Sequence, residues 1–421
     1  MKGRLHAATP APGSRGLLSN RRLSPHGDDQ EGSGLAFRRF YPVFGAVTAH
    51  QRKTTALVSH LLEWYSKNAR DLPWRRTTDP YSVYVSEVML QQTQVKTVLA
   101  YWKRWMRALP NLGALARAKP ERLHKLWEGL GYYTRVRNLK RAAECIRERH
   151  GGKFPQGFED VLALPGIGPY TAGAICSIAF NQPKPILDGN VIRVLTRLYG
   201  IAGNPRERKT NSRLWQIAEE LVLHASTTNA RASTSPRATR TTQPLPRPCS
   251  QFNQSLMELG ALICTPRAPR CGACPMAKHC VAYLQGCVLE LPSLGRRIRS
   301  TPRRFAAFVV QKRGRLLVRQ RSAGAVNAHM WEFPNVELSP EDADLKQAAR
   351  RALGVRPKAL EPLGTVKHSI TRYRITLEAY RIVGDQSEPI QAGNGRWLDR
   401  CRLSRLAFTS AHRQILQRLG L

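Results

Sequence analysis

The sequence predicts a mostly α-helical N-terminal domain that ends in a cysteine-rich metal loop, followed by a separate C-terminal α+β domain. Three observations lead to this fold class. From about residue 55 to 223, strong helix formers carry apolar residues three and four positions apart, as at Leu123, Leu126 and Trp127. Cysteines cluster between positions 264 and 280. After about residue 300, short segments with alternating polarity are typical of strands.

The composition indicates which class of macromolecule the protein binds. The chain has 421 residues, with 67 Lys and Arg against 29 Asp and Glu, for a formal net charge of +38. This length suggests two or three domains. The positive field favours polyanions, of which nucleic acid is the commonest, although basic tails contribute to the same balance. No apolar run approaches the roughly 20 residues that span a bilayer. We therefore expect a soluble cytoplasmic protein with no membrane partner, associated with the nucleoid if the source is a bacterium.

Two segments and a linker lack the pattern of folded elements. We expect residues 1–54, rich in Gly, Pro, Ser and Arg, to be a disordered basic tail. A targeting segment is the alternative, because the first 27 residues hold no acidic residue. Residues 225–250 hold none either and predict a disordered insertion. Residues 293–304 form a basic linker that separates the domains at 55–292 and 305–421.

Individual elements follow from local patterns. An apolar helix at Phe252–Ile263 leads into the cysteine loop of the first domain. In the second domain the patterns predict strands at Phe305–Val310, Leu316–Arg319 and Arg374–Val383. A helix is predicted at Ala343–Leu353.

The cysteine cluster is either a disulfide knot or a metal site. It comprises Cys264, Cys271, Cys274 and Cys280. A chain long enough to bury ordinary cores, with no secretory signal, favours reduced thiols and hence a metal. Structural zinc sites usually pair two C-x2-C knuckles across a longer gap. One C-x2-C flanked by single cysteines instead favours an iron–sulfur cluster held by four thiolates.

A glycine turn lies between two helical stretches at Leu164–Gly168. Gly166 and Gly168 allow a tight turn with positive φ. The helix that follows presents unpaired N–H groups at its start, which suit a phosphate. This is the pattern of a helix-hairpin-helix that grips the DNA backbone, and an ordinary helix–helix turn is the alternative.

Two carboxylates and two tyrosines are further candidates. Glu87 lies in an apolar helical stretch, where a semi-buried carboxyl with a raised pKa makes a good general acid. The commoner case is a solvent-facing glutamate. Asp188 precedes a glycine and, taken alone, is more often a helix N-cap than a catalyst. Tyr132 and Tyr133 follow a glycine turn, and they either wedge into a base stack or pack in the core.

Together and in this order, these motifs resemble the endonuclease III-like DNA glycosylases and, within them, the MutY-type adenine DNA glycosylases. The resemblance runs from about Leu61 to Cys280, and it extends more weakly to the C-terminal domain through Trp331–Pro334. It implies a helix-hairpin-helix glycosylase domain with a [4Fe–4S] cluster loop, plus an α+β NUDIX-like domain that senses 8-oxoguanine. It also implies base excision repair of double-stranded DNA holding adenine opposite 8-oxoguanine or guanine. We expect the protein to be a monomer.

The resemblance also implies roles for single residues. Glu87 would protonate N7 of an extruded adenine and later activate water, and Asp188 would stabilise or capture the sugar cation. Tyr170 and Asn190 would orient these carboxylates. Endonuclease III-type lyases carry a lysine where this chain has Tyr170, so the family likeness implies monofunctional hydrolysis rather than a glycosylase/lyase. One rival interpretation is another enzyme on the same fold, either an endonuclease III-type glycosylase/lyase or a thymine–guanine mismatch glycosylase. The other is a non-catalytic iron–sulfur DNA-binding module.

The same resemblance assigns contacts to DNA. Gln92 and Tyr132 would fill or wedge the base stack, while Gly166 and Gly168 would hold the backbone. Basic residues of the cysteine loop would touch phosphates, namely Arg267, Arg270 and Lys278.

This chain departs from the family pattern in its C-terminal domain. The lesion-recognising loop of the family reads His-x-Phe-Ser-His, whereas this chain has His368-Ser369-Ile370-Thr371-Arg372. Thr371 keeps the hydroxyl, and Arg372 replaces the second histidine, so discrimination of the lesion is expected to be weaker or to use Arg372 differently. Ala348–Leu353 stands where a NUDIX hydrolase has paired glutamates, so we expect no nucleotide pyrophosphatase activity.

Overall fold

A computed structural model describes most of the two predicted domains. The described residues are 49–232, 247–295, 299–370, 372–384, 390 and 394–421. The predicted tail up to residue 48, residues 233–246 of the predicted insertion, part of the predicted linker and Thr371 lie outside them.

The N-terminal domain is built from helices. Those of the described residues are α1 (Ala49–Asn68), α2 (Pro80–Leu90), α3 (Val95–Ala108), α4 (Leu112–Arg117), α5 (Pro120–Trp127), α6 (Thr134–Arg149), α7 (Phe158–Leu162), α8 (Pro169–Ile178), α9 (Gly189–Tyr199), α10 (Arg208–Ala232), α11 (Pro248–Leu262) and α12 (Val281–Leu284). Short 3-10 turns lie at Pro73–Arg75, Cys271–Ala273 and Ala277–His279.

Helix α2 lies between the two hydrophobic cores of this domain. Asp79 caps its start by accepting hydrogen bonds from the backbone N–H groups of Tyr81 and Ser82. Val83 packs into the core formed with α1 and α9 to α11. Val85 and Met89 pack into the core formed with α3 to α8. A helix that is apolar on all sides is a buried helix, and for this reason every residue from 81 to 89 is buried.

Three predicted boundaries are wrong. Helix α1 begins at Ala49, so residues 49–54 are helical rather than part of a tail, and Thr54 and Leu57 of this helix are buried. Helix α10 continues to Ala232 and α11 begins at Pro248, so both ends of the predicted insertion are helical. The start of α11 is fixed from another segment, because Oδ1 of Asn181 accepts the N–H groups of Cys249 and Ser250.

The C-terminal domain is an α+β fold. Its strands are β1 (Thr301–Val309), β2 (Gln311–Lys312), β3 (Arg315–Gln320), β4 (Trp331–Glu332), β5 (Asn335–Leu338), β6 (Ala359–Ile370), β7 (Tyr373–Val383) and β8 (Gly395–Leu398), and its helices are α13 (Leu345–Leu353), α14 (Arg400–Arg405) and α15 (Ser410–Arg418). The predicted strands and helix are present. The predicted linker is shorter than expected, because β1 begins at Thr301 and pairs with β7 from its first residue.

One mixed sheet separates two helices in this domain. Its strand order is β5-β1-β7-β6, with β1 and β7 parallel and the other pairs antiparallel. Successive side chains of a strand point to opposite faces. Phe308 accordingly packs with Ala348 and Ala349 of α13, while Val309 packs with Ile415 of α15. A second sheet pairs β3 with β2, β4 and β8.

The two domains contact each other directly. Met330 and Ala407 of the C-terminal domain belong to the same apolar core as α3 to α8. Nζ of Lys125 donates to the carbonyl of Leu406 at 3.0 Å, and the N–H of Phe408 donates to Oε1 of Glu128 at 2.9 Å. The C-terminal domain therefore contacts the C-terminal end of α5.

Among the described residues, no helix has the length and apolar character to cross a membrane.

Candidate active site

A cleft of about 830 Å³ opens between α2, α8, the start of α9 and α11. It brings together residues that lie far apart in the sequence, and Glu87, Gln92, Tyr170, Asp188 and Asn190 all line it. These are the four predicted catalytic residues and one of the predicted DNA contacts.

Glu87 is a buried carboxyl of the cleft, with 4% of its surface exposed. Burial penalises the charged form and raises its pKa to about 7, and the nearby charge of Asp188 acts in the same direction. The hydrogen bond from Tyr170 and the charge of Arg75 oppose this shift. A carboxyl with such a pKa exchanges its proton near neutral pH, as a general acid must.

Tyr170 holds the Glu87 carboxyl in place. Its hydroxyl donates a hydrogen bond of 2.6 Å to Oε2 of Glu87 and lies 3.4 Å from Sδ of Met257. Burial raises the pKa of Tyr170 well above its ordinary value, so the phenol stays protonated and remains a donor. The structure thus places the Tyr170 hydroxyl directly against the Glu87 carboxyl.

Asp188 is the N-cap of α9, and it also faces the cleft. Its Oδ1 accepts the N–H of Val191 at 2.7 Å, and its Oδ2 accepts Nδ2 of Asn190 at 2.9 Å. Burial raises the pKa of Asp188, while these hydrogen bonds lower it. Asp188 is therefore a helix N-cap that also lines the cleft, and the positive end of the helix dipole favours its charged form.

A relay of hydrogen bonds runs from Asp188 to the cysteine loop. Arg193 donates to Oδ1 of Asn190 at 2.8 Å and to the carbonyl of Cys264 at 2.7 Å. Arg197, fully buried one turn further along α9, donates to Sγ of Cys264 at 3.4 Å and to the carbonyl of Thr265 at 2.8 Å. Sequence reasoning missed both arginines, although the spacing from Asp188 places Asn190 and Arg193 in the first turns of one helix.

The cysteine loop fits an iron–sulfur cluster. All four predicted cysteines are free thiols, and they line one small cavity together with Arg197 and Tyr283. Across the part of the chain that the structure describes, no group of three His, Cys, Asp or Glu side chains converges as single-ion ligands would. Four thiol donors around one enclosed space are the donor set of a [4Fe–4S] cluster.

The glycine turn between α7 and α8 has the geometry of a helix-hairpin-helix. Gly166 has a φ of +77°, and a Cβ there would lie 2.5 Å from Cβ of Asn138. Gly168 is the N-cap of α8 and has open space beside it. Only glycine fits the first position, and the open second position leaves the start of α8 accessible to an anion.

The predicted wedge residues lie next to this turn. Tyr132 and Gly166 line a second cavity, of about 220 Å³, together with Gln92. Gln92 is exposed, and 46% of Tyr132 is exposed, whereas Tyr133 is buried in the core. Of the two tyrosines, the first is thus available to a partner and the second packs in the core.

Sequence reasoning also missed a charged group at the back of the cleft. Glu258 is fully buried and accepts two hydrogen bonds from the guanidinium of Arg70, at 2.7 and 2.8 Å, and one from Arg75 at 2.8 Å. These bonds hold the pKa of Glu258 at about 2 against the effect of its burial. Its position within the apolar helix α11 gave the only signal in the sequence, because a buried glutamate requires cationic partners.

Basic residues of the cysteine loop and of the turn between β6 and β7 are at the surface. Arg267, Arg270 and Lys278 are exposed, and Arg270 already donates to the carbonyl of Leu262 at 2.8 Å. Arg372 donates to the hydroxyl of Tyr373 at 3.0 Å and lies over its ring. Thr371 is outside the described residues. Arg372 is not among the residues that line the cleft.

Comparisons with known proteins agree with these domains. Residues 85–220 match the family model of the HhH-GPD superfamily base excision DNA repair proteins, residues 264–280 match the iron-sulfur binding domain of endonuclease III, and residues 306–418 match the NUDIX domain. The predicted fold class and iron–sulfur loop are confirmed.

Several adenine DNA glycosylases are similar to this chain over both of its domains. The adenine DNA glycosylase of Mus musculus is 35% identical over 86% of this chain and 78% of its own length. The adenine DNA glycosylase of Homo sapiens is 34% identical over 87% of this chain and 74% of its own. A solved thermostable thymine-DNA glycosylase is 28% identical over 56% of this chain and 100% of its own, with a TM-score of 0.47. The chain belongs to the MutY-type adenine DNA glycosylases of the endonuclease III-like superfamily.

Proposed function

We propose that this protein removes adenine from double-stranded DNA by hydrolysing its N-glycosidic bond where adenine stands opposite 8-oxoguanine or guanine. The observation that carries the proposal is the placement of Glu87 and Asp188 in one cleft, with Glu87 buried and its pKa raised to about 7. A pair of carboxyls in different environments is what glycosidic hydrolysis requires, since one must give a proton and the other must stay charged.

Glu87 is the proton donor in this account. Near pH 7 a substantial fraction of it is protonated, because its pKa lies close to that value. Proton transfer to N7 of an adenine held in the cleft makes the base a neutral leaving group. The Glu87 carboxylate left behind then takes a proton from the incoming water, so the same residue serves both half-steps.

Asp188 stabilises the positive charge that develops on the sugar. Asn190 and the N–H of Val191 occupy both of its oxygens and favour its charged form. An ionised carboxylate beside an oxocarbenium-like sugar lowers the barrier by direct electrostatic attraction. Asn190 is the positioning residue for Asp188, as Tyr170 is for Glu87.

The cleft supports hydrolysis rather than strand cleavage. A lyase needs an amine to attack the sugar, and the corresponding position holds Tyr170, whose hydroxyl is bonded to Glu87. Among the described residues that line the cleft, the one lysine is Lys96, which is exposed and does not occupy that position. We therefore expect an abasic site as the product, with the sugar–phosphate backbone intact.

DNA is held from several sides in this account. The extruded adenine leaves a gap in the stack, and Gln92 and Tyr132, which flank one cavity, fill it. The start of α8 behind Gly166 and Gly168 binds a phosphate. When bound, the [4Fe–4S] cluster fixes the loop that presents Arg267, Arg270 and Lys278 to the backbone.

The test compares the products of three duplexes, which hold adenine opposite 8-oxoguanine, adenine opposite guanine, and thymine opposite guanine. Free base is identified by mass spectrometry, and strand breaks are counted before and after alkali. We expect release of adenine and breaks only after alkali. Release of thymine, or breaks before alkali with an adduct trapped by borohydride, would instead establish the thymine enzyme or the lyase.

We further propose that the protein acts as a cytoplasmic monomer on DNA. The support is the net charge of +38, which favours DNA as a partner, and a cleft whose lining residues all come from one chain. Light scattering at working concentration and cell fractionation test the two parts separately. A dimer, or recovery in a membrane fraction, would contradict them.

A further inference from the structure

Arg135 connects two loops of the N-terminal domain. Its Nη1 lies 2.9, 3.2 and 2.6 Å from the carbonyl oxygens of Val88, Met89 and Gln91 at the C-terminal end of α2. Its Nη2 lies 2.9 and 3.1 Å from the carbonyl oxygens of Leu130 and Gly131. One guanidinium thus holds carbonyls of two segments that are about 40 positions apart in the sequence.

These two segments carry the proposed wedge residues. Gln92 follows the α2 carbonyls directly, and Tyr132 follows Gly131. Both residues have positive φ, 57° for Gln92 and 48° for Tyr132, which is uncommon for residues other than glycine. A backbone in this region costs free energy and persists only where its surroundings impose it.

Arg135 has the chemistry to impose this geometry. The last carbonyls of a helix lack partners within the helix, and a cation there is favoured by the helix dipole. The guanidinium also lies 5.3 Å from the ring centre of Trp127 and 5.6 Å from that of Tyr132. Arg135 is partly buried among these groups, and this burial lowers its pKa to about 10.

We infer that Arg135 is a positioning residue that fixes the Gln92 and Tyr132 loops as one preformed wedge for base extrusion. This inference rests on the proposed function. A wedge that is ordered before DNA arrives does not lose conformational entropy on entering the stack, so extrusion is faster and more complete. Lysine cannot replace this fork, because a single ammonium cannot span both sets of carbonyls.

The experiment is a double-mutant cycle on the duplex with adenine opposite 8-oxoguanine. It comprises the wild type, Arg135→Lys, Tyr132→Ala and the double variant. We expect Arg135→Lys to reduce the single-turnover rate by roughly 10- to 100-fold, as small misplacements of positioned groups do. In the Tyr132→Ala background, the same change should reduce the rate by a smaller factor than in the wild type, because one of the two residues through which it acts is gone.

A fluorescence measurement separates extrusion from chemistry. A 2-aminopurine beside the target adenine reports unstacking, and Glu87→Gln as the background prevents excision during the measurement. We expect Arg135→Lys to reduce the fluorescence increase on binding. Arg141→Gln is the matched control, since this exposed arginine lies on the same helix α6 and does not line the wedge cavity.

The outcomes distinguish this inference from its foundation. The role of Arg135 would be overturned if the rate losses of Arg135→Lys and Tyr132→Ala simply multiplied in the double variant. It would also be overturned if Arg135→Lys left the fluorescence increase on binding unchanged. Neither result would affect adenine excision by the wild type. Absence of excision by the wild type would overturn the proposed function itself. Hydrogen exchange of the DNA-free wild type adds a test that needs no variant. The amides of Thr93 and Leu130, which donate to the carbonyls of Leu90 and Trp127, should be protected, and rapid exchange at either would refute a preformed wedge.

Discussion

The hydroxyl of Tyr170 donates a hydrogen bond of 2.6 Å to Oε2 of Glu87, which is buried at the wall of the cleft. Burial raises the pKa of Glu87 to about 7, and this hydrogen bond acts against the shift. Tyr170 therefore sets the protonation of the proposed acid as well as its orientation.

Removing that hydroxyl should move the pH profile of excision. The alkaline limb follows the loss of the Glu87 proton, so it should fall near pH 7 in the wild type. In Tyr170→Phe the charged carboxylate loses a donor, the pKa of Glu87 rises, and the limb should move to higher pH. Single-turnover rates between about pH 5 and 9 check this, and an unmoved limb, or one displaced to lower pH, would count against it.

The same carboxyl should lower the stability of the fold at high pH. In the unfolded chain Glu87 ionises near its ordinary value of 4.5, whereas in the folded chain it keeps its proton up to about 7. The folded state therefore binds the extra proton, and stability is lost as pH rises from 4.5 through 7. Glu87→Gln removes this loss, which amounts to at most about 3 kcal/mol.

Thermal unfolding at two pH values tests this linkage. Glu87→Gln should raise Tm at pH 8 and change it little at pH 4.5. The exposed pair of Glu63 and Lys67 offers a control, because Glu63→Gln should show no comparable rise at pH 8. An equal change in Tm of Glu87→Gln at both pH values would show that the carboxyl is not held protonated.

Loss of a cysteine ligand should affect folding and DNA binding before chemistry. Arg193 and Arg197 tie the cysteine loop to α9, and a cluster-binding loop is ordered by its cluster. Cys271→Ser is therefore expected to lower Tm and weaken DNA binding, while the molecules that still bind retain excision at saturating protein. Cys401→Ser, an exposed cysteine outside the loop, is the control.

This prediction is checked by measuring the iron content, the Tm and the dissociation constant for DNA of each variant. The result against it would be a Cys271→Ser protein with normal stability and binding whose bound complexes no longer release adenine.

Arg372 should change how the opposite base is read. A guanidinium only donates, so it matches the O6 and N7 acceptors of guanine, whereas 8-oxoguanine carries a hydrogen on N7. We expect the wild type to prefer the 8-oxoguanine duplex only weakly over the guanine duplex, and Arg372→Ala to slow excision opposite guanine more. Single-turnover rates on both duplexes decide it, and a large preference of the wild type for the lesion would refute lost discrimination.

Local sequence signals predicted those parts of the fold that depend on local chemistry. Gly166 and Gly168 predict the turn before α8, and the C-x2-C spacing of Cys271 and Cys274 predicts the metal loop. Glu87 was recognisable because an acidic residue stood within an apolar helix. Its partner Tyr170 follows 83 positions later, and only the family resemblance connected the two.

Features that depend on distant contacts were not predictable in this way. The start of α11 is fixed by Asn181, 68 positions before Cys249. Arg135 resembles any other basic residue of α6 until the carbonyls of α2 are placed beside it. The linker appeared longer than it is because the polar start of β1 is defined by its pairing with β7 and not by its own alternation.

The most direct test of the account is the single-turnover release of adenine from a duplex with adenine opposite 8-oxoguanine. Wild type, Glu87→Gln and Glu63→Gln are compared at saturating protein, with DNA binding measured in parallel. We predict that Glu87→Gln binds the duplex but releases adenine at least about 100-fold more slowly, the contribution expected of a general acid, while Glu63→Gln matches the wild type. Full activity of Glu87→Gln would contradict the account.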